Sequence, residues 1–142
     1  MRVFSLGYEG LDQDAFVALL RRHGIRHVAD VRDLPLSRKK GFSKTPLRTC
    51  LGQEGIGYSN PRALGAPRDL RQAKRAGMAL PRFRAAYAAH LRDGRKDLDA
   101  LVRQALLQPT AMVCYERDPR QCHRFVLAAR LRRRGLKVQD LP

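Results

Sequence analysis

Apolar positions fall in short runs separated by glycine and proline, and the spacing inside each run predicts its element. Residues 2–6, RVFSL, form a brief apolar run with β-branched and aromatic members that stops at Gly7, which predicts a strand. Asp12 suits a helix N-cap. Phe16, Leu19, Leu20 and His23 then recur at helical spacing before Gly24, a residue fitted to the position just past a helix end. IRHVADV, residues 25–31, predicts a second strand that ends at Arg32. Two strands joined by a helix of this length make a βαβ unit with parallel strands.

From Leu34 to about Met78 the periodicity breaks. Pro35, Pro46, Pro61 and Pro67 punctuate the stretch, with five glycines between them, and short helical pieces are expected at Lys44–Gln53 and Pro67–Arg75. An irregular segment of this length inside one domain is usually a lid or a binding loop. Pro81 fits a first helical turn, with Phe83, Ala86, Tyr87 and His90 on one face and Gly94 at the end. A helix at Asp97–Leu107 closed by Pro109 follows. The remainder reads as a strand at Thr110–Tyr115, a helix at Arg120–Arg134 stopped by Gly135, and a last strand at Leu136–Leu141.

This order predicts an α/β fold, a parallel-dominated open sheet with helices on both faces in a Rossmann-like three-layer arrangement, with a long loop-rich insertion after the second strand. No repeat or linker divides the chain, so residues 1–142 read as one domain. A domain of this size buries roughly two-thirds of its unfolded surface and needs no disulfide or metal simply to fold. Three unevenly spaced cysteines argue against a disulfide framework and for a reducing compartment. No apolar run approaches the ~20 residues of a membrane span, and MRVFSLGYEG lacks signal-peptide character. A cytoplasmic location without a membrane partner is the expectation.

Charge changes the picture most. Lys and Arg number 29 against 13 Asp and Glu, a net +16. The stretch Arg62–Arg84 carries seven basic residues and one acidic, and Arg120–Lys137 carries no acid at all. Two explanations stand side by side: a polyanionic partner such as nucleic acid, or a genome composition that favours Arg and Ala.

Ligands of open parallel sheets collect at the carboxyl ends of the strands. Those ends present Gly7, Tyr8 and Glu9, then Asp30, Arg32 and Ser37, then Cys114, Glu116, Cys122, His123 and Arg124. Scattered surface polarity would not favour one end of every strand. GYEG at residues 7–10, DVRDLPLSRKKGFSK at 30–44, GIGYSNPRALG at 55–65 and CYERDPRQCHR at 114–124 together resemble the DUF488 family over nearly the whole chain. The matching positions are Asp30, Val31, Arg32, Pro35, Ser37, Arg38, Phe42, Ser43, Tyr58, Leu64, Gly65, Cys114, Glu116, Cys122, His123 and Arg124, and Tyr115 stands where a small residue is expected. The function of that family is uncharacterised, so the resemblance implies a single domain and no reaction.

The residues themselves suggest roles. Arg32, Arg38 and Arg124, with a helix starting near Arg120, suit an anion pocket for phosphate or carboxylate; alternatively Arg32 pairs with Asp30 or Glu9 as scaffold. Glu116 and His123 suit general acid/base work, with Glu9 as a second carboxylate if its strand neighbours that of Glu116; alternatively His123 braces the loop. Tyr8, Tyr58 and Phe42 among basic residues suit base stacking, or anchor the proline-rich segment onto the core. Cys114 to Arg120 spells C-x5-R, the spacing of an anion cradle around a nucleophilic thiolate. Glu116 and Asp118 would repel an anionic substrate there, and Cys114 and Cys122 also fit packing. Cys114, Cys122 and His123 could ligate zinc, yet adjacent residues on a helix point about 100° apart and no CxxC completes the set. No cofactor or metal is therefore expected, and Cys50 has no assigned role.

Three functional classes follow. The first is an enzyme-like domain holding an anionic, phosphorylated ligand on Arg32, Arg38 and Arg124, with Glu116, His123 and Glu9 handling protons. The second is a non-catalytic nucleic-acid-binding module, in which Arg71, Lys74 and Arg75 matter more than His123. The third is a cysteine-dependent sulfur or phosphoryl transferase.

Overall fold

A computed structural model describes residues 1–142. Five strands, β1 (Arg2–Gly7), β2 (His27–Asp30), β3 (Gly57–Ser59), β4 (Thr110–Cys114) and β5 (Lys137–Asp140), form one all-parallel sheet in the order β3-β2-β4-β1-β5. Six α-helices connect them: α1 (Gln13–Arg22), α2 (Lys44–Gln53), α3 (Arg68–Arg75), α4 (Leu80–Leu91), α5 (Arg95–Leu107) and α6 (Arg124–Arg133). No helix is long and apolar enough to cross a membrane.

Alternation along the strands builds two cores. Phe4, Leu6, Val28, Ala111 and Val113 face α1 and α2, where Phe16, Leu20, Leu47 and Leu51 are buried. Val3, Ala29, Met112 and Cys114 face the opposite layer, where Phe83, Tyr87, Leu101 and Leu131 come from α4, α5 and α6. Burying a side chain of this size contributes roughly 1.5–3 kcal/mol, so both layers are firmly held to the sheet. The expected three-layer α/β architecture is what forms.

The insertion is more ordered than its prolines suggest. Its helical pieces lie at Lys44–Gln53 and Arg68–Arg75, close to their expected bounds, but it also supplies β3 at the sheet edge. Three residues between Gly57 and Pro61 are too few to display a period-2 pattern, which is why this strand is invisible in the sequence. The helix expected from Arg120 starts instead at Arg124. Asp118 Oδ1 accepts the Arg120 amide at 3.0 Å, a single 3-10 turn follows at Pro119–Gln121, and Cys122 is extended at φ −125°, ψ 155°.

Strand order decides where a ligand can enter. β4 lies between β2 and β1, and the helices that follow β1 and β4 lie on opposite faces of the sheet. That is a topological switch point, where a crevice opens beyond the strand ends. Two glycines let loops cross there. A Cβ on Gly7 would lie 1.8 Å from the Glu116 carbonyl oxygen, and one on Gly65 would lie 2.1 Å from the Asp33 amide nitrogen. Both positions exclude any side chain.

Candidate functional site

Register brings the three polar sets together. Gly7 pairs with Cys114 and Asp30 with Val113, so the segments leaving β1, β4 and β2 emerge side by side. Beyond them lies a cavity of about 740 Å³. Six of its lining residues are basic (Arg32, Arg38, Lys39, Arg71, Lys74 and Arg75), whereas Asp33 and Glu116 are its only acids. Leu36 (66 % exposed) and Tyr115 (47 % exposed) add apolar surface at the mouth.

The floor is a buried ion pair. Arg32 Nε and Nη2 donate to Asp30 Oδ1 and Oδ2, each at 2.7 Å, and Nη1 donates to Tyr8 Oη at 3.0 Å. Tyr58 Oη donates to Asp30 Oδ2 at 2.5 Å, so burial and then this bond push its phenol above the usual range. Asn60 Nδ2 clamps the backbone from outside, donating to the carbonyls of Asp30 at 2.7 Å and Arg32 at 3.0 Å. Asp30 is the scaffold partner of Arg32, while Arg32 still borders the cavity.

The aromatic residues divide differently from the stacking expectation. Phe42 is fully buried and stacks on Tyr8 with ring centroids 4.5 Å apart, pinning the insertion to the core. Tyr58 is tied to Asp30. The exposed ring at the cavity is Tyr115, set edge-on to Tyr8 at 5.5 Å. Ser37 shapes the loop that carries Arg38 and Lys39: its hydroxyl accepts the Lys39 amide at 3.1 Å, and its own amide donates to Ser43 Oγ at 3.0 Å.

Arg124, expected at an anion pocket, does not line the cavity. Its side chain is buried at 1 % exposure, with Nη1 donating to Ser5 Oγ at 2.8 Å and Nη2 to the Glu116 carbonyl. Its Nε lies 3.1 Å from Cys114 Sγ and 3.4 Å from Cys122 Sγ. Glu9 is also diverted. Its strand neighbours that of Glu116 as the fold allows, but its exposed carboxylate accepts the Arg117 amide at 3.0 Å.

The C-x5-R cradle is not assembled. Arg120 turns outward and forks onto Asp118, and the amides of Arg120, Gln121 and Cys122 are all spent on Asp118 and Pro119. Burial, with the hydrogen bond and charge of Cys122, pushes the Cys114 thiol well up, the reverse of what a nucleophile needs. For Cys122 burial acts in the same upward direction. The Cys114 S–H, then His123 and Arg124, outweigh it and hold Cys122 well below the ordinary thiol range.

His123 links the entry of α6 to the end of β2. Its Nε2 lies 2.7 Å from the Val31 carbonyl oxygen and Nδ1 lies 3.5 Å from Cys122 Sγ, while its ring meets Tyr87 edge-on at 5.1 Å. Burial lowers its affinity for a proton, but the neighbouring Cys122 sulfur raises it further, and the balance is upward. Because Cys122 precedes the helix, it and His123 do not diverge by a helical step. The ligand atoms of Cys114, Cys122 and His123 lie within 4.8 Å of one another. Glu116 is half-buried at the cavity, 3.9 Å from Lys74 Nζ. Burial, and after it the charge of Cys122, raises its carboxyl above the usual range.

Sequence reasoning missed Ser5 and Asn60 and placed Arg71, Lys74 and Arg75 only in a rival interface. Ser5 had a readable signal, a polar residue inside an apolar strand. The match of a family model, a domain of unknown function designated DUF488, extends over residues 12–131. No curated protein and no solved structure matches the chain.

Proposed function

The chain belongs to the DUF488 family, and we propose that within it this protein binds a phosphorylated ligand, a nucleotide or a phosphate-bearing segment of nucleic acid, in the cavity beyond β1, β4 and β2. The observation that carries this is that five lining cations besides the Asp30-paired Arg32 face only two acids at a topological switch point. Arg38, Lys39, Arg71, Lys74 and Arg75 hold phosphate oxygens from the walls. Arg32, already neutralised by Asp30, presents its remaining edge from the floor. Tyr115 offers a ring face to a base or another flat group.

The enzymatic form of the reading assigns the proton role to Glu116. Burial raises its carboxyl above the usual range, the direction that suits a general acid. His123 is less suited, since Val31 and Cys122 face its two ring nitrogens. In the non-catalytic form the same cationic walls track a nucleic-acid backbone. Arg71, Lys74 and Arg75 line the cavity, so those residues serve both forms.

Calorimetric titration with pyrophosphate, a nucleoside diphosphate and a short single-stranded oligonucleotide tests the reading. Binding of at least one probe, weakened tenfold or more by Arg38→Glu and by Arg75→Glu, is the expected result. Wild-type protein that binds none of the three, or binding indifferent to both charge reversals, overturns it.

A further inference from the structure

We propose that Cys114, Cys122 and His123 form a three-ligand site for zinc, with its fourth side open to the cavity. The donors come from two segments that the sheet brings together: Cys114 ends β4, and Cys122 and His123 stand at the entry to α6. Two thiolates and an imidazole are the donor set zinc takes when one position stays free for water or substrate.

Each donor is oriented as a ligand requires. The Nε2–H of His123 donates to the Val31 carbonyl at 2.7 Å, which leaves Nδ1 facing Cys122 Sγ at 3.5 Å. Such a bond from the second ring nitrogen to a backbone carbonyl is the usual support of a metal-bound histidine. Arg124 donates from its side chain to both sulfurs and from its backbone amide to Cys122 Sγ at 3.5 Å. N–H groups aimed at sulfur favour thiolates over thiols. The sulfurs stand 2.6 Å apart, so taking up zinc moves them apart by about 1 Å, to the separation set by two Zn–S bonds of about 2.3 Å.

The charges also balance. A divalent ion with two thiolates is neutral, and the sulfurs keep partial negative charge toward Arg124, while the nearby Glu116 carboxylate is paired with Lys74 at 3.9 Å. A disulfide would instead leave the buried Arg124 guanidinium facing two uncharged sulfurs, a costly arrangement. Cys114, Glu116 and His123 all line the cavity, so the open side faces the space where a ligand binds. The site rests on this cluster alone and holds whichever ligand the cavity takes.

Cobalt(II) added to the reduced wild-type protein tests the proposal. One equivalent should bind, with an intense near-ultraviolet thiolate-to-cobalt band and the visible bands of tetrahedral cobalt, and zinc should displace it. Cys122→Ser and Cys114→Ser should each weaken the near-ultraviolet band, and His123→Ala should lower cobalt affinity by tenfold or more. Should those variants fail to fold, mercurial titration of the zinc-loaded wild type should release one zinc as the two sulfurs are capped. Reduced protein that binds neither ion overturns the proposal. So does protein isolated two hydrogen masses light, with Cys50 its single free thiol.

Discussion

Both oxygens of the Asp30 carboxylate are taken by the Arg32 guanidinium, so these two residues, only two positions apart, close a buried two-pronged ion pair at the end of β2. Breaking such a pair leaves one charge stranded. Asp30→Ala and Arg32→Ala should each cost about 3–5 kcal/mol in urea unfolding. The double variant should cost clearly less than their sum, because each single change already loses the shared interaction. Additive losses would mean that the pair is not coupled.

Arg124 should behave as a structural residue. Arg124→Met removes the donor that joins α6 to Ser5 and to both sulfurs, and should lower stability by about 3 kcal/mol or more. Arg38→Ala, at an exposed rim position, should stay within about 0.5 kcal/mol of wild type. Thermal melts of the two variants side by side decide the assignment.

Salt dependence separates the two forms of the ligand-binding reading. If a nucleic-acid strand runs along the cationic wall, affinity falls steeply as salt rises. Each of Arg71→Ala, Lys74→Ala and Arg75→Ala should then flatten the plot of log affinity against log salt by roughly 0.7–0.9. A small phosphorylated ligand should give a shallower slope and saturate at one equivalent.

Two glycine substitutions should move stability in opposite directions. Gly7→Ala drives a methyl group into the Glu116 carbonyl and should cost about 3 kcal/mol or more, since backbone must move. Gly52→Ala, exposed inside α2 with nothing within 4 Å, should stabilise by about 0.5–1 kcal/mol. Melting temperatures of the two variants suffice as the measurement.

His27 gives the fold an acid-side weakness. It is 8 % exposed with Nε2 2.8 Å from Ser59 Oγ, and burial lowers its pKa. The unfolded chain therefore holds this proton more tightly than the folded one, with an ordinary pKa of about 6.5. Its contribution is intact above that value and is lost as pH falls through the folded pKa. In urea unfolding at about pH 5 and about pH 8, His27→Gln should narrow the difference between the two stabilities. An unchanged difference would rule out His27 as the source.

Much of the fold was legible because it rests on local patterns. The run around Val3–Leu6, the spaced Phe16, Leu19 and Leu20, and glycines at helix ends each announce an element within a few residues. β3 was hidden because the three residues Gly57–Ser59 span less than two repeats of a strand's two-residue alternation. The convergence of strand ends was legible too, since every parallel strand points its carboxyl end to one edge. Individual roles were not. Whether Arg124 faces a ligand or Ser5 depends on a partner 119 residues away, and whether Glu9 faces Glu116 or the Arg117 amide depends on how one loop crosses Gly7. The expected divergence of Cys122 and His123 failed for a local reason: Pro119 and Asp118 hold Cys122 outside the helix.

The placement of β4 between β2 and β1 also bears on how the protein is made. β1 finds its hydrogen-bonding neighbours only in β4 and β5, more than a hundred residues later in the chain. As the nascent chain emerges, β1 waits with both edges unpaired until Thr110–Cys114 has been synthesised and inserted. Pairings this distant in sequence are slow to form and leave strand edges open to other chains meanwhile. The same insertion joins β1 to β2 and, in one event, carries Cys114 and Glu116 to the cavity, leaving only the β5 edge to be added. Protein cut short before residue 110 would thus lack both the centre of its sheet and its site.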